Sequence, residues 1–95
     1  MSSVEAARRE AGEIQTWFQQ HIASLLALDP DKVDVTADFD GFGLDSVQGV
    51  DMVTALEDWL GLDEDLPIDV IFDADSIAHA SESVATILAM RAESL

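Results

Sequence analysis

The chain has 95 residues, 48% of them hydrophobic, which is enough for one core and too little for two. Twenty Asp and Glu against four Lys and Arg give a formal net charge of -16, a balance that repels nucleic acid and anionic membranes and leaves basic protein surfaces as the expected partners. There is no cysteine, so disulfides, thiolate metal sites and a cysteine nucleophile are excluded.

Residues 1–10 contain Glu5, Arg8, Arg9 and Glu10 and no apolar run of the length a secretory signal needs. No stretch approaches the ~20 apolar residues that span a bilayer. A soluble, cytoplasmic protein is therefore expected. Acidic chains are often disordered for want of core-forming residues, but the apolar content here argues for a folded domain.

Ser2 and Glu5 have capping-box spacing, and a helical pattern follows them past Gly12. Ile14, Trp17, Phe18, Ile22, Leu25 and Leu28 share one broad face at 100° per residue, which predicts an amphipathic helix ending at Asp29-Pro30. From Asp29 to Asp45 neither helical nor alternating period holds, and Pro30, Gly41 and Gly43 occur. Structureless connections longer than about 12 to 15 residues are uncommon and often functional. Val33, Val35, Phe39, Phe42 and Leu44, spaced through this one, predict that it lies pinned across the helices.

A second helix is predicted from Ser46 to Leu60, stopped by Gly61. Met52, Val53, Leu56, Trp59 and Leu60 form its core side, and Val47, Val50, Asp51, Thr54 and Asp58 lie opposite, facing solvent. After Asp63-Glu64-Asp65 and Pro67, the apolar run Ile68 to Phe72 predicts a single helical turn. Ser76 then caps a last helix whose buried stripe is Ile77, Ala80, Val84, Ile87 and Leu88. The fold class is all-α: three main helices plus one short helix, with a long loop between the first two.

The segment Phe42-Gly43-Leu44-Asp45-Ser46-Val47 places a serine hydroxyl at a loop-to-helix junction, where free N–H groups and the helix dipole favour negative charge. A phosphodiester on that serine would sit well there. Taken alone, the segment is better read as an ordinary N-cap at Asp45 or Ser46, since Asp and Ser are standard capping residues.

Gly43, Leu44, Asp45, Ser46 and Val47 match a Gly-x-Asp-Ser-apolar motif, and in this the chain resembles the acyl carrier protein family. The similarity continues through Val50-Asp51-Met52-Val53 and Ala55-Leu56-Glu57. It also takes in Pro30-x-x-Val33, Asp38-Phe39 and Phe72-Asp73, covering about residues 14–88 of a single domain with a polar extension over 1–13. The resemblance implies a four-helix bundle of the acyl-carrier type, monomeric and not an enzyme. It implies that a phosphopantetheinyl transferase attaches 4'-phosphopantetheine to Ser46, with Asp45, Leu44 and Gly43 shaping the attachment site. It further implies that an acyl group rides on the arm as a thioester, in fatty-acid, polyketide or related biosynthesis. An acyl-loading or adenylating enzyme, a ketosynthase and other acyl-processing enzymes with basic surfaces would dock on Val47, Val50, Asp51, Thr54, Glu57 and Asp58. Thr54 departs from an often apolar family position, and Asp75-Ser76 from a frequent Pro-Thr pair. A peptidyl or aryl carrier shares fold and arm, but Asp45 before Ser46 favours the acyl type. An acidic helical adaptor without a prosthetic group is the rival of another class.

Other chemistry fits less well. A Gly-x-Ser-x-Gly hydrolase elbow is missing, because Leu44 and Gln48 flank Ser46 at the glycine positions. His21 falls on the apolar stripe as a boundary or core residue, and His79 on an outward side without partners. An EF-hand alignment on Gly41 puts Thr36 first and Val47 last, so the bidentate glutamate is lacking and no metal site is expected. Diffuse association of divalent cations with so acidic a surface is expected on electrostatic grounds.

Carboxylates at this density repel one another and destabilise the compact state, and salt screens them over a Debye length of about 10 Å at 0.1 M. The melting temperature is expected to rise across a salt titration or with millimolar divalent cation. A flat or falling curve would show that the charges are compensated within the fold.

Overall fold

The computed structural model describes residues 10–62 and 65–93. Four α-helices follow one another: α1 (Ala11–Leu26), α2 (Ser46–Leu60), α3 (Asp69–Phe72) and α4 (Ile77–Glu93). Two single 3-10 turns, Pro30–Lys32 and Asp40–Phe42, punctuate the long first loop. This is the all-α architecture the periodicities predict. Helix α1 packs along α4, and α3 bridges α2 and α4.

The capping box expected at Ser2 and Glu5 lies outside the described residues. Helix α1 starts at Ala11 after Glu10, whose ψ of 144° is extended, so it is not continuous from Ser2. Its end also departs from expectation. Ala27 takes a left-handed φ of 56°, and the N–H of Leu28 reaches back to the carbonyl of Ala23 at 2.9 Å, closing the helix before Asp29-Pro30 is reached. Leu28 therefore leaves the helical stripe, and with Leu25 it is 44% exposed rather than core. Ile14, Phe18 and Ile22 carry the burial of this helix.

Helix α2 has the predicted bounds. It ends at Gly61, where φ is 69° and a side chain would be strained. Met52, Val53 and Leu56 are buried, while Trp59 and Leu60 are half-buried at the core's margin. There Trp59 stacks on Trp17 of α1, ring centroids 6.0 Å apart.

The first loop is pinned as its apolar residues predict, with Val33 and Phe39 buried and Val35, Phe42 and Leu44 half-buried. Phe39 meets Phe18 edge-on at 5.5 Å. The loop also completes α4. Of the four N–H groups left over at that helix's start, Ile77 donates to the carbonyl of Ala37 at 3.2 Å and Ala78 to Val35 at 2.9 Å. A third goes to Ser76, whose hydroxyl accepts from His79 at 3.0 Å, as predicted for a cap, and whose carbonyl takes the first regular helical bond, from Ala80 at 3.0 Å.

The α2–α3 segment is held at both sides. The Glu57 carboxylate accepts the N–H of Leu66 at 2.6 Å, and the Arg91 guanidinium donates to the carbonyl of Asp65 at 2.9 Å. Leu66, Val70 and Ile71 are buried beneath. On α4 the stripe Ile77, Ala80, Val84 and Leu88 is buried and Ile87 is half-buried. Ser81 is buried among them, its hydroxyl spent on the Ile77 carbonyl at 2.8 Å.

Leu56 has no exposed surface. Leu56→Ala is expected to cost about 2 to 5 kcal/mol in a denaturant titration. A loss under about 1 kcal/mol would mean that the core can collapse around the missing atoms.

Candidate functional site

The start of α2 is built one residue at a time. The 3-10 turn Asp40–Phe42 closes on Gly43, whose φ of 74° an L side chain would disfavour and whose N–H donates to the Asp40 carbonyl at 3.0 Å. Leu44, half-buried, packs against the core. Asp45 is extended (φ -87°, ψ 178°) and is the N-cap. Its carboxylate accepts the N–H of Gln48 at 2.8 Å, while the Gln48 side-chain carbonyl accepts the N–H of Asp45 at 3.1 Å. The two residues thus form a capping box.

This arrangement resolves which of the two adjacent capping residues caps. Asp45 does, and Ser46 becomes the first helical residue, exposed, with no group among the described residues bonding its hydroxyl. The N–H groups of Ser46 and Val47 belong to the helix's unsatisfied first turn, beside that hydroxyl. A free primary hydroxyl next to free N–H donors suits esterification by a phosphate, whose charge the helix terminus favours.

Down the outward face of α2, Val47 (68% exposed) and Val50 (47%) stand with exposed Asp51, Thr54 and Asp58. The Thr54 hydroxyl donates to the Val50 carbonyl at 3.1 Å, so this face is less polar than the residue type implies. Glu57 does not join the group: it is half-buried and turned to the Leu66 N–H.

Gly49 was not a candidate, yet it is buried beside the site. A Cβ there would lie 3.1 Å from Cζ of Phe72, so its lack of a side chain lets α3 approach α2. The only signal in the sequence is a glycine inside a helix, which costs about 1 kcal/mol against alanine and so asks for a reason. Phe72, half-exposed, also walls an open cleft of about 410 Å³ rimmed by Asp38, Asp40, Asp73 and Asp75.

The remaining candidates are occupied elsewhere. His21 is half-buried and stacked on Trp17 at 4.8 Å, a boundary residue as expected, and burial lowers its pKa below the ordinary value. His79 is exposed but not without partners: its Nδ1 accepts the N–H of Asp75 at 3.1 Å, extending the α4 cap. Asp34 accepts the hydroxyl of Thr36 at 2.6 Å and its N–H at 2.9 Å, bonds that lower the Asp34 pKa. Asp38 accepts the N–H of Gly41 at 2.7 Å. These loop acids make turns. Among the described residues no three His, Asp or Glu side chains are grouped as metal ligands.

Fold and site together define a helical carrier domain with a serine presented at a helix start. The chain belongs to the phosphopantetheine attachment site family, which it matches over residues 16–84. The group it carries is therefore covalently attached 4'-phosphopantetheine, and the free hydroxyl and N–H donors at the start of α2 fit it. In sequence it is 35% identical over 52 residues to "Acyl carrier protein TtuC" of Teredinibacter turnerae, a match covering 55% of this chain and 60% of that one. In fold it is similar to a free-standing peptidyl carrier protein from an Acinetobacter baumannii secondary metabolic pathway. That likeness has a TM-score of 0.72 at 21% identity, over 84% of this chain and 98% of the other. It is similar too to the HMG-ACPI domain of the CurA module from Lyngbya majuscula, with a TM-score of 0.71 at 24% identity, over 88% and 83% of the two chains.

Proposed function

We propose that this chain is an acyl carrier that holds its cargo on Ser46 and presents it to enzymes of fatty-acid, polyketide or related biosynthesis in the cytoplasm. The observation that carries the reading is the free, exposed hydroxyl of Ser46 at the first helical position, with capping left to Asp45. The bound arm supplies a terminal thiol on which an acyl group is held as a thioester. The chain's own residues do the rest: Gly43 turns the loop, Leu44 anchors it, Asp45 caps, and Ser46 offers the oxygen. Chemistry on the cargo is left to the partners. Asp45 before Ser46, and the similarity to a protein named as an acyl carrier, support acyl over peptidyl or aryl cargo.

The partners proposed are a phosphopantetheinyl transferase, an acyl-loading or adenylating enzyme, and a ketosynthase or other acyl-processing enzymes. Val47, Val50, Asp51, Thr54 and Asp58 give them a mixed apolar and acidic patch beside the serine, of the kind interfaces use. Net charge -16 favours basic partner surfaces.

Incubation with coenzyme A and a broad-specificity phosphopantetheinyl transferase is expected to add one phosphopantetheine by intact mass, and Ser46→Ala is expected to stay unmodified. An unchanged wild-type mass, with a control carrier modified in the same tube, would reject the reading. Reversing Asp51 and Asp58 to lysine is expected to change stability by no more than about 0.5 kcal/mol, since both are exposed. Transfer by the same enzyme should slow, most at low salt where steering is strongest. A double variant modified at the wild-type rate at low salt would move the docking surface elsewhere.

A further inference from the structure

Asp45 and Ser46 are adjacent, and both residue types rank among the best N-caps, so the chain has two nearly equivalent ways to begin α2. Only one leaves the Ser46 hydroxyl free. Were Ser46 the cap, its Oγ would accept the N–H of Gly49 three residues on, and the helix would start one residue later. The two starts differ in their reciprocal half. With Asp45 as cap, the third helical residue is Gln48, whose side-chain carbonyl returns a bond to the Asp45 N–H at 3.1 Å. With Ser46 as cap, that residue would be Gly49, which has no side chain to return one. A Cβ at Gly49 would in turn come within 3.1 Å of the Phe72 ring, which would have to give by a few tenths of an ångström, so a side chain at this position is disfavoured.

We propose that Gln48 is a positioning residue that selects Asp45 as the cap and so keeps the Ser46 hydroxyl free to be modified, a role that rests on the proposed attachment at Ser46. Loss of the Gln48 side chain removes the reciprocal bond and lets Ser46 compete for the cap. A capping hydroxyl is turned into the helix's own N–H groups and is withdrawn from an incoming phosphate. Gln48 is half-buried and outside the proposed docking patch, so the defect is expected in kcat and not in KM.

The test uses the full chain as Gln48→Ala and Gln48→Glu, with Asp45→Ala alongside. Transfer of phosphopantetheine from coenzyme A is followed for kcat and KM, and the unmodified proteins are read by NMR for the Ser46 Cβ shift and Hα–Hβ couplings. Gln48→Ala is expected to lower kcat about twofold, as two nearly equivalent caps approach equal population, with KM unchanged and the Ser46 signals displaced. Gln48→Glu, which can return the same bond, should restore both. Asp45→Ala should displace the Ser46 signals further in the same direction. A wild-type kcat and unmoved Ser46 signals in Gln48→Ala would overturn the inference, as would a loss confined to KM or one that glutamate does not rescue. If wild type takes no phosphopantetheine while a control carrier does, the carrier reading fails instead, and the Ser46 signals alone still decide which residue caps.

Discussion

The carbonyls of Val35 and Ala37 accept the first two N–H groups of α4, and the placement of the site follows from those two bonds. A long loop and a helix start pose the same problem, since each has backbone groups without a regular partner. Here each supplies what the other lacks. The loop is thereby fixed across the end of α4, with Val33 and Phe39 driven into the core on either side of the contact. Between Ala37 and α2 lie residues 38–45, in which Phe39 is buried, the turn at Asp40–Phe42 closes on Gly43 and Leu44 packs against the core, so the start of α2 is delivered at a set position rather than at the end of a free strand of chain.

What could be read from the sequence was what repeats along one element. Met52, Val53 and Leu56, or Ile77, Ala80, Val84 and Leu88, recur at helical spacing, and burial follows the spacing. The Gly-x-Asp-Ser pattern was legible for a similar reason, because its parts are contiguous. What escaped reading were contacts between distant segments. Glu57 has the spacing of an outward residue near the edge of its face, and only the arrival of Leu66 turns it inward. Gly49 is ordinary until Phe72 lies on it. The end of α1 failed differently: Pro30 is the conspicuous stop signal, but an alanine in the left-handed region, a choice L residues seldom make, closes the helix first.

The distribution of charge is lopsided in a way that matters at long range. Of the cations, Arg91 within the described residues spends its guanidinium on a carbonyl and not on a carboxylate. The nearest approach of a basic side chain to a carboxylate among those residues is His79 Nδ1 to Asp75 at 3.9 Å, and that nitrogen accepts the Asp75 N–H, so it forms no ion pair there. The carboxylates are thus left to act as a field. At short range like charges repel one another, and beyond the surface such a field favours the approach of cationic groups. Both effects share one salt dependence, so conditions that firm the fold also weaken the steering.

At the start of α2, local rules of helix formation and the requirements of a carrier meet in the same few residues. A capping residue is useful because it binds the helix's free N–H groups, and a modifiable serine is useful because it does not. Placing the two side by side and letting the aspartate cap satisfies both. The serine hydroxyl has neither a bonded base nor an orienting acid among the described residues, since His21 stacks on Trp17 and His79 serves the cap of α4. Nothing bonded to it among the described residues would activate it as a nucleophile. An unactivated alcohol is a poor nucleophile at neutral pH, so the attachment proposed at Ser46 calls for a partner enzyme that supplies the base.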